Sequence, residues 1–268
     1  MNLSEIDGWP GSRHAAVVAG PEGVLHQHGV VDERLALASV TKPLVAYAVL
    51  VAIEEGSLAL DGTLDLGTSL RHLLAHASGM APDERTLVSQ PGTRRIYSNA
   101  GFEVVGELLT AATGIDVAAY LEEAVLNPLA MRATALPGSP ASGATSSAAD
   151  LARFAIELLE PTLVAASTLD EATSVQFPGL DGVLPGFGRQ APNDWGLGFE
   201  LRDAKHPHWT APNGSPRTFG HFGRSGTFLW VDPDARLACV YLGDAEFGPW
   251  AASAWPAFSA GVLEAARG

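Results

Sequence analysis

The sequence has little positive charge, a single cysteine and no apolar stretch long enough to cross a bilayer. Sixteen Lys and Arg stand against thirty Asp and Glu, a net charge of -14. That field repels nucleic-acid phosphates and anionic lipid headgroups, and no basic stripe offsets it, so neither partner is expected. Cys239 lies inside the apolar run RLACVYLG, which excludes an intrachain disulfide and fits a small buried thiol. The longest apolar run, Leu44 to Ile53, is too short to span a membrane. The first residues, MNLSEIDGWPGSRH, show no basic segment followed by an apolar one, and the expected location is the cytoplasm.

Several catalytic and binding signatures are also missing. His72 and His76 are spaced i, i+4, but Leu73 stands where a zinc-protease helix needs glutamate, so no metal is expected. WGLGF and PGFGR lack the third glycine of a dinucleotide loop and read as turns, and no cofactor is expected. No GxSxG elbow occurs, which excludes the α/β-hydrolase scaffold. Internal repeats and flexible linkers are absent too.

What remains is a chain of 268 residues, 47% hydrophobic and 17% charged, able to bury a large core as one domain or two interleaved subdomains. RHAAVVAGPEGVLHQHGVV has the form strand, turn, strand. From Lys42 to about Leu201 helical periodicity dominates, with Gly56 and Gly114 placed to end helices and Ser146 or Ser147 to cap one. PGSPASGA, residues 137–144, reads as a loop. Strand patterns return in WGLGFELRD, TFGHFGRSGTFLWVDPD and ARLACVYLGD, before a last helix over about 250–266. The expected fold is therefore mixed α/β (α+β): an antiparallel sheet built from both chain ends, about 9–55 and 195–268, flanked by helices, with a mostly helical subdomain over about 56–194. The tryptophans of the last third read as core, with one or two available to line a cleft or a dimer face. The oligomeric state is left open.

The chemistry gathers where an apolar helix is interrupted at its head. Ser39 and Lys42 form an SxxK pair, which on a helix brings hydroxyl and amine to one face. Pro43 is tolerated in a first turn, whose amides lack intrahelical partners, so the Ser39 amide is free to bind an anion. A serine hydroxyl is a weak nucleophile, and a lysine activates it only when desolvation strips the amine of its proton or another base takes part. Alone, the pair reads more readily as a capping serine with a snorkelling lysine. Two further segments change this: Tyr97, Ser98 and Asn99 precede another helix, and His221, Phe222 and Gly223 lie in a glycine-rich strand.

SxxK, then YxN, then a basic residue followed by x and Gly, in that order, resembles the three-part signature of the penicillin-recognising serine hydrolases. The chain is similar to the class C β-lactamase-like family, which includes penicillin-binding-protein-like members, family VIII-type esterases and D-aminopeptidases. LRHLLAHASGM, PGTRRIYSNAGFEVVGELLTAATG, LNPLAM, SSAADLARF, WGLGFELR and FGHFGRSG carry the resemblance over most of the chain. It implies a β-lactamase/transpeptidase-like fold with a cleft in which Ser39 is acylated and then hydrolysed. It further implies that Tyr97, assisted by Lys42, takes the serine proton and activates water. Asn99 would hydrogen-bond the acyl amide or Lys42, His221 would stand in for the lysine common in the third motif, and the amides of Ser39 and Arg224 would form the oxyanion hole.

Bringing a phenol from a pKa of about 10 to about 7 requires roughly 4 kcal/mol. One unit charge at about 4 Å supplies a comparable amount at an effective dielectric near 20, so Lys42 is expected to suffice. Titration of His221 between about pH 5 and 8 is expected to shape the rate. Phe222 departs from the family pattern, because a phenyl ring cannot hydrogen-bond a carboxylate as the usual hydroxyl does. An aromatic wall suits an apolar acyl or alcohol group, with Arg224 or Arg217 as candidate carboxylate partners. Glu123 in EAVLN matches a deacylating-glutamate pattern but reads as a solvated helix face.

Two functions follow: a serine hydrolase acting on a β-lactam, a small ester or a D-peptide, or a catalytically silent sensor or binding module. The co-occurrence of Ser39, Lys42, Tyr97 and Asn99 favours the enzyme, with a small molecule as its substrate.

Overall fold

The computed structural model describes residues 1–267, the side chain of Leu66 excepted. The predicted N-terminal hairpin forms as β1 (His14–Gly20) and β2 (Gly23–Gly29), with residues 21 and 22 in its turn. Short strands β3 (Leu35–Ala36) and β4 (Thr145–Ser146) pair with each other, as do β5 (Gly182–Leu184) and β6 (Gly188–Gln190). β7 (Glu200–Leu201), β8 (Phe219–Gly223), β9 (Thr227–Asp232) and β10 (Leu237–Gly243) complete the strands. The helices are α1 (Thr41–Glu54), α2 (Leu70–Leu74), α3 (Asn99–Thr113), α4 (Val117–Leu121), α5 (Ala148–Leu159), α6 (Ala166–Ala172) and α7 (Pro249–Arg267).

The main sheet has six antiparallel strands in the order β2-β1-β10-β9-β8-β7, so the two chain ends do build it together. Its central strands are buried throughout, and alternation sends their side chains into two cores. Val17, Val240, Leu229 and Phe219 join α1, α3 and α5 on one face. Val18, Cys239, Phe228 and Phe222 join Trp255 and Phe258 of α7 on the other.

Local signals place the helix ends. Ser98 and Ser147 accept hydrogen bonds from the amides of Gly101 and Asp150 at the heads of α3 and α5. Gly56 and Gly114, at φ 77° and 72°, follow α1 and α3 in the left-handed conformation. α1 has no polar face: eleven of its residues are buried, so it is a core helix whose head opens at the site. Residues 137–144 form the expected loop, and the chain is loop as well between 75 and 98, inside the stretch where helical periodicity dominates. No single helix among the described residues is long and apolar enough to cross a membrane.

Candidate active site

Ser39 lies in a single helical turn, Ala38–Val40, that runs directly into α1. Ala38 takes φ 44°, which for a residue with a side chain is uncommon backbone and turns Ser39 toward the cleft. Strand β8 runs close under this turn. A Cβ on Gly223 would sit 2.2 Å from the Leu37 carbonyl oxygen, so only glycine allows the approach. Thr227 Oγ1 donates to the same carbonyl at 3.0 Å, and Ser225 Oγ to that of Ala36 at 2.8 Å. The turn carrying Ser39 is thereby tied to the β8–β9 corner. The Arg224 amide at that corner has no hydrogen-bond acceptor among the described residues.

Lys42 is completely buried on α1. Its Nζ lies 3.5 Å from Ser39 Oγ, 2.7 Å from Asn99 Oδ1 and 2.9 Å from the Ala141 carbonyl oxygen. Both strong acceptors are neutral. Desolvation therefore dominates, and despite the attraction of Asp83 and Glu103 the amine falls from its ordinary value to about 7. A neutral amine has two N–H bonds and one lone pair; with the hydrogens given to Asn99 and Ala141, the lone pair is left for Ser39. Asn99 Nδ2 in turn donates to Asp83 at 2.8 Å, fixing the amide's orientation.

Tyr97 stands on the other side of the lysine, its ring centroid 4.6 Å from Nζ. Its buried hydroxyl faces Ser39 but falls short of hydrogen-bond geometry with any described group. Burial raises the phenol's pKa, and the proximity of Ser39 only partly opposes this. The expected lowering of Tyr97 by Lys42 is thus overturned. The same burial that raises the phenol lowers the amine, and an amine near half-charged at pH 7 is a weak electrostatic aid.

His221 is buried, and burial first, then the charge of Lys42, depress its pKa to about 3. The expected titration between pH 5 and 8 therefore does not belong to this ring; Lys42 occupies that window. Phe222 also differs from expectation. It points to the opposite face of β8, packs with Phe187, Phe247, Trp209 and Trp255, and reaches the cleft only at its edge. Arg224 lines the mouth, with an exposed guanidinium 3.7 Å from Glu246. Arg217 lies outside the cleft and pairs with Asp234 at 2.9 Å. His76 Nδ1 accepts the Ser98 amide at 3.1 Å, and its ring lies 4.6 Å from that of Tyr97.

The cleft encloses about 320 Å³ and is walled by Leu184, Pro185, Trp195 and Phe247 as well as the motif residues. The β5–β6 hairpin reaches it through Gly186, where a Cβ would lie 2.5 Å from the Phe247 ring. Glu200 contributes to the floor. Burial alone would raise its carboxyl, but Lys205 and His208, both hydrogen-bonded to it, hold it well below the usual range. Glu200, Trp195 and the Ala141 carbonyl were not singled out in the sequence as site groups, although WGLGFELR carries part of the family resemblance and 137–144 reads as a loop. Glu123 is solvent-exposed, as expected. Among the described residues no cluster could hold a metal ion.

The sequence matches the Beta-lactamase family over residues 15–260, and the chain belongs to that family. It is similar to a beta-lactamase from Mycobacterium bovis, with 54% identity, 98% of each chain covered and a TM-score of 0.97. The fold is shared by simvastatin synthase from Aspergillus terreus, at 18% identity, 98% and 93% coverage and a TM-score of 0.79. It is shared too by a hydrolase with promiscuous acyltransferase activity, EstCE1, at 17% identity, 99% and 96% coverage and a TM-score of 0.78. No curated protein matches the chain.

Proposed function

We propose that the protein is a serine hydrolase that acts through an acyl-enzyme on Ser39, with small esters of apolar acids as its main substrates. The observation that carries this is the buried Lys42 amine, 3.5 Å from Ser39 Oγ and satisfied by two neutral acceptors, which lowers its pKa to about 7.

In acylation, Ser39 Oγ attacks the ester carbonyl while its proton passes to the neutral Lys42. The carbonyl oxygen, now an oxyanion, accepts hydrogen bonds from the amides of Ser39 and Arg224. As the C–O bond to the leaving group breaks, the Tyr97 hydroxyl protonates the departing alkoxide and recovers a proton from the Lys42 ammonium. Water then repeats the sequence: Lys42 takes its proton, hydroxide attacks the acyl carbon, and Ser39 regains its hydrogen. Tyr97 acts as a proton donor throughout, in keeping with its raised pKa.

Ester preference over β-lactams rests on the apolar walls and on a neutral His221 where a cation would grip a carboxylate. The test is incubation with a fluorophosphonate probe, p-nitrophenyl butyrate and nitrocefin, beside Ser39→Ala. Labelling and ester turnover that both vanish in the variant, with nitrocefin turnover weaker, are expected. Absence of labelling and of any turnover would favour a silent binding module.

A further inference from the structure

Four aromatic side chains meet behind Ser39. The rings of His76, Tyr97, Trp195 and His221 have centroids between 4.6 and 5.8 Å apart in contacting pairs. Each carries one buried polar atom with no partner among the described residues: His76 Nε2, Tyr97 OH, Trp195 Nε1 and His221 Nε2. Buried polar groups are rarely left this way; Tyr97, Trp195 and His221 line the cleft itself, with His76 packed behind them, and this marks the place where a ligand's polar atoms belong.

The tautomers assign their roles. His76 Nδ1 accepts the Ser98 amide, so its Nε2 carries the hydrogen. Trp195 Nε1 is a donor by chemistry. His221 is the reverse: its Nδ1 lies 2.7 Å from the carbonyl oxygen of Phe222, which can only accept. The hydrogen is therefore on Nδ1, and Nε2 presents a lone pair. Beside the rings of Tyr97 and Trp195 and the neighbouring His76, the groups that act on this imidazole are Lys42, Lys205, Glu200 and the Phe222 carbonyl. Lys42 and Lys205 disfavour a further positive charge on it.

We infer that His221 Nε2 is a specificity-determining acceptor, and that the cleft selects esters bearing a neutral hydrogen-bond donor, a hydroxyl or N–H, near the scissile bond. This rests on Ser39 being the nucleophile and narrows the substrate class. A carboxylate placed at the same point meets a lone pair, with the Glu200 carboxylate on the cleft floor nearby.

The test uses paired substrates. On the alcohol side, 2-hydroxyethyl butyrate is compared with propyl butyrate and with the carboxymethyl ester. On the acyl side, p-nitrophenyl 3-hydroxybutyrate is compared with the 3-methylbutyrate. In at least one pair, kcat/KM for the hydroxyl member is expected to exceed that of its isostere at least tenfold, and the carboxylate to be poorest. In His221→Phe that ratio collapses toward one; in His221→Lys the carboxylate ester gains. Equal rates in both wild-type pairs, or a ratio that survives His221→Phe, would overturn the inference. Continued Ser39 labelling and p-nitrophenyl butyrate turnover would then leave the hydrolase intact. Independently of turnover, histidine 15N NMR of Ser39→Ala is expected to show the Nδ1–H tautomer, with the Nε2 resonance moving on addition of 2-hydroxyethyl butyrate and not propyl butyrate. An Nε2–H tautomer, or equal responses to the two esters, would also overturn it.

Discussion

Lys42 and Lys205 are the only lysines in the chain, and both are buried. Lys205 lies 2.6 Å from Glu200 Oε1, a direct ion pair, and also donates to the Asp194 carbonyl at 2.8 Å. Lys42 has only neutral acceptors in contact, an amide oxygen and a backbone carbonyl. Burial lowers the pKa of both amines, but at Lys205 a carboxylate opposes it at hydrogen-bond distance. At Lys42 the carboxylate with the larger effect, Asp83, acts from behind Asn99. Two similar burials thus yield one structural cation and one titrating base, and the difference lies in whether the first contact is charged.

The comparison is broken most severely by removing the base. Lys42→Met is expected to lower kcat/KM for p-nitrophenyl butyrate by about 10³-fold or more while the protein still folds, as circular dichroism would check. Lys205→Met is expected to do the opposite. It strands the Glu200 carboxylate and destabilises the fold by about 3–5 kcal/mol in urea titration, while the pH midpoint of the folded enzyme stays put.

Converting the first contact sharpens the point. Asn99→Asp sets a carboxylate beside Nζ and is expected to move the acidic limb of the rate profile alkaline by about 1–3 pH units. A wild-type profile governed by Lys42 rises as pH passes about 7, because the deprotonated amine is the active form. His221 shapes stability instead. Its folded pKa, about 3, lies below the ordinary 6.5, so the unfolded state binds the proton first as pH falls. Its contribution is present above about 6.5 and is lost progressively below, and Tm is expected to be lower at pH 5 than at pH 7. The smallest effect belongs to Glu123→Ala: stability within about 0.5 kcal/mol and turnover unchanged.

The motif residues were legible in sequence because their constraints are local. Ser39 and Lys42 share one turn, Ser98 caps α3, and Gly223 must lack a Cβ where β8 passes Leu37. Strand alternation was legible too, but not which face Phe222 would take, since that depends on α7 arriving from the far end of the chain. The Ala141 carbonyl was hidden because a backbone oxygen carries no residue signature. Desolvation of Lys42 was legible from its apolar helix, but the charge states of Tyr97 and His221 were not, because their burial is set by tertiary packing, which one neighbouring charge does not reveal.

With only two lysines, the titration of each can be followed separately by 13C NMR of protein labelled at lysine Cε, assigned with Lys205→Met. The Lys42 signal is expected to titrate with a midpoint near 7 while the Lys205 signal stays in its charged form through that range. A Lys42 amine that remains protonated up to the ordinary lysine range of about 10 would contradict the account.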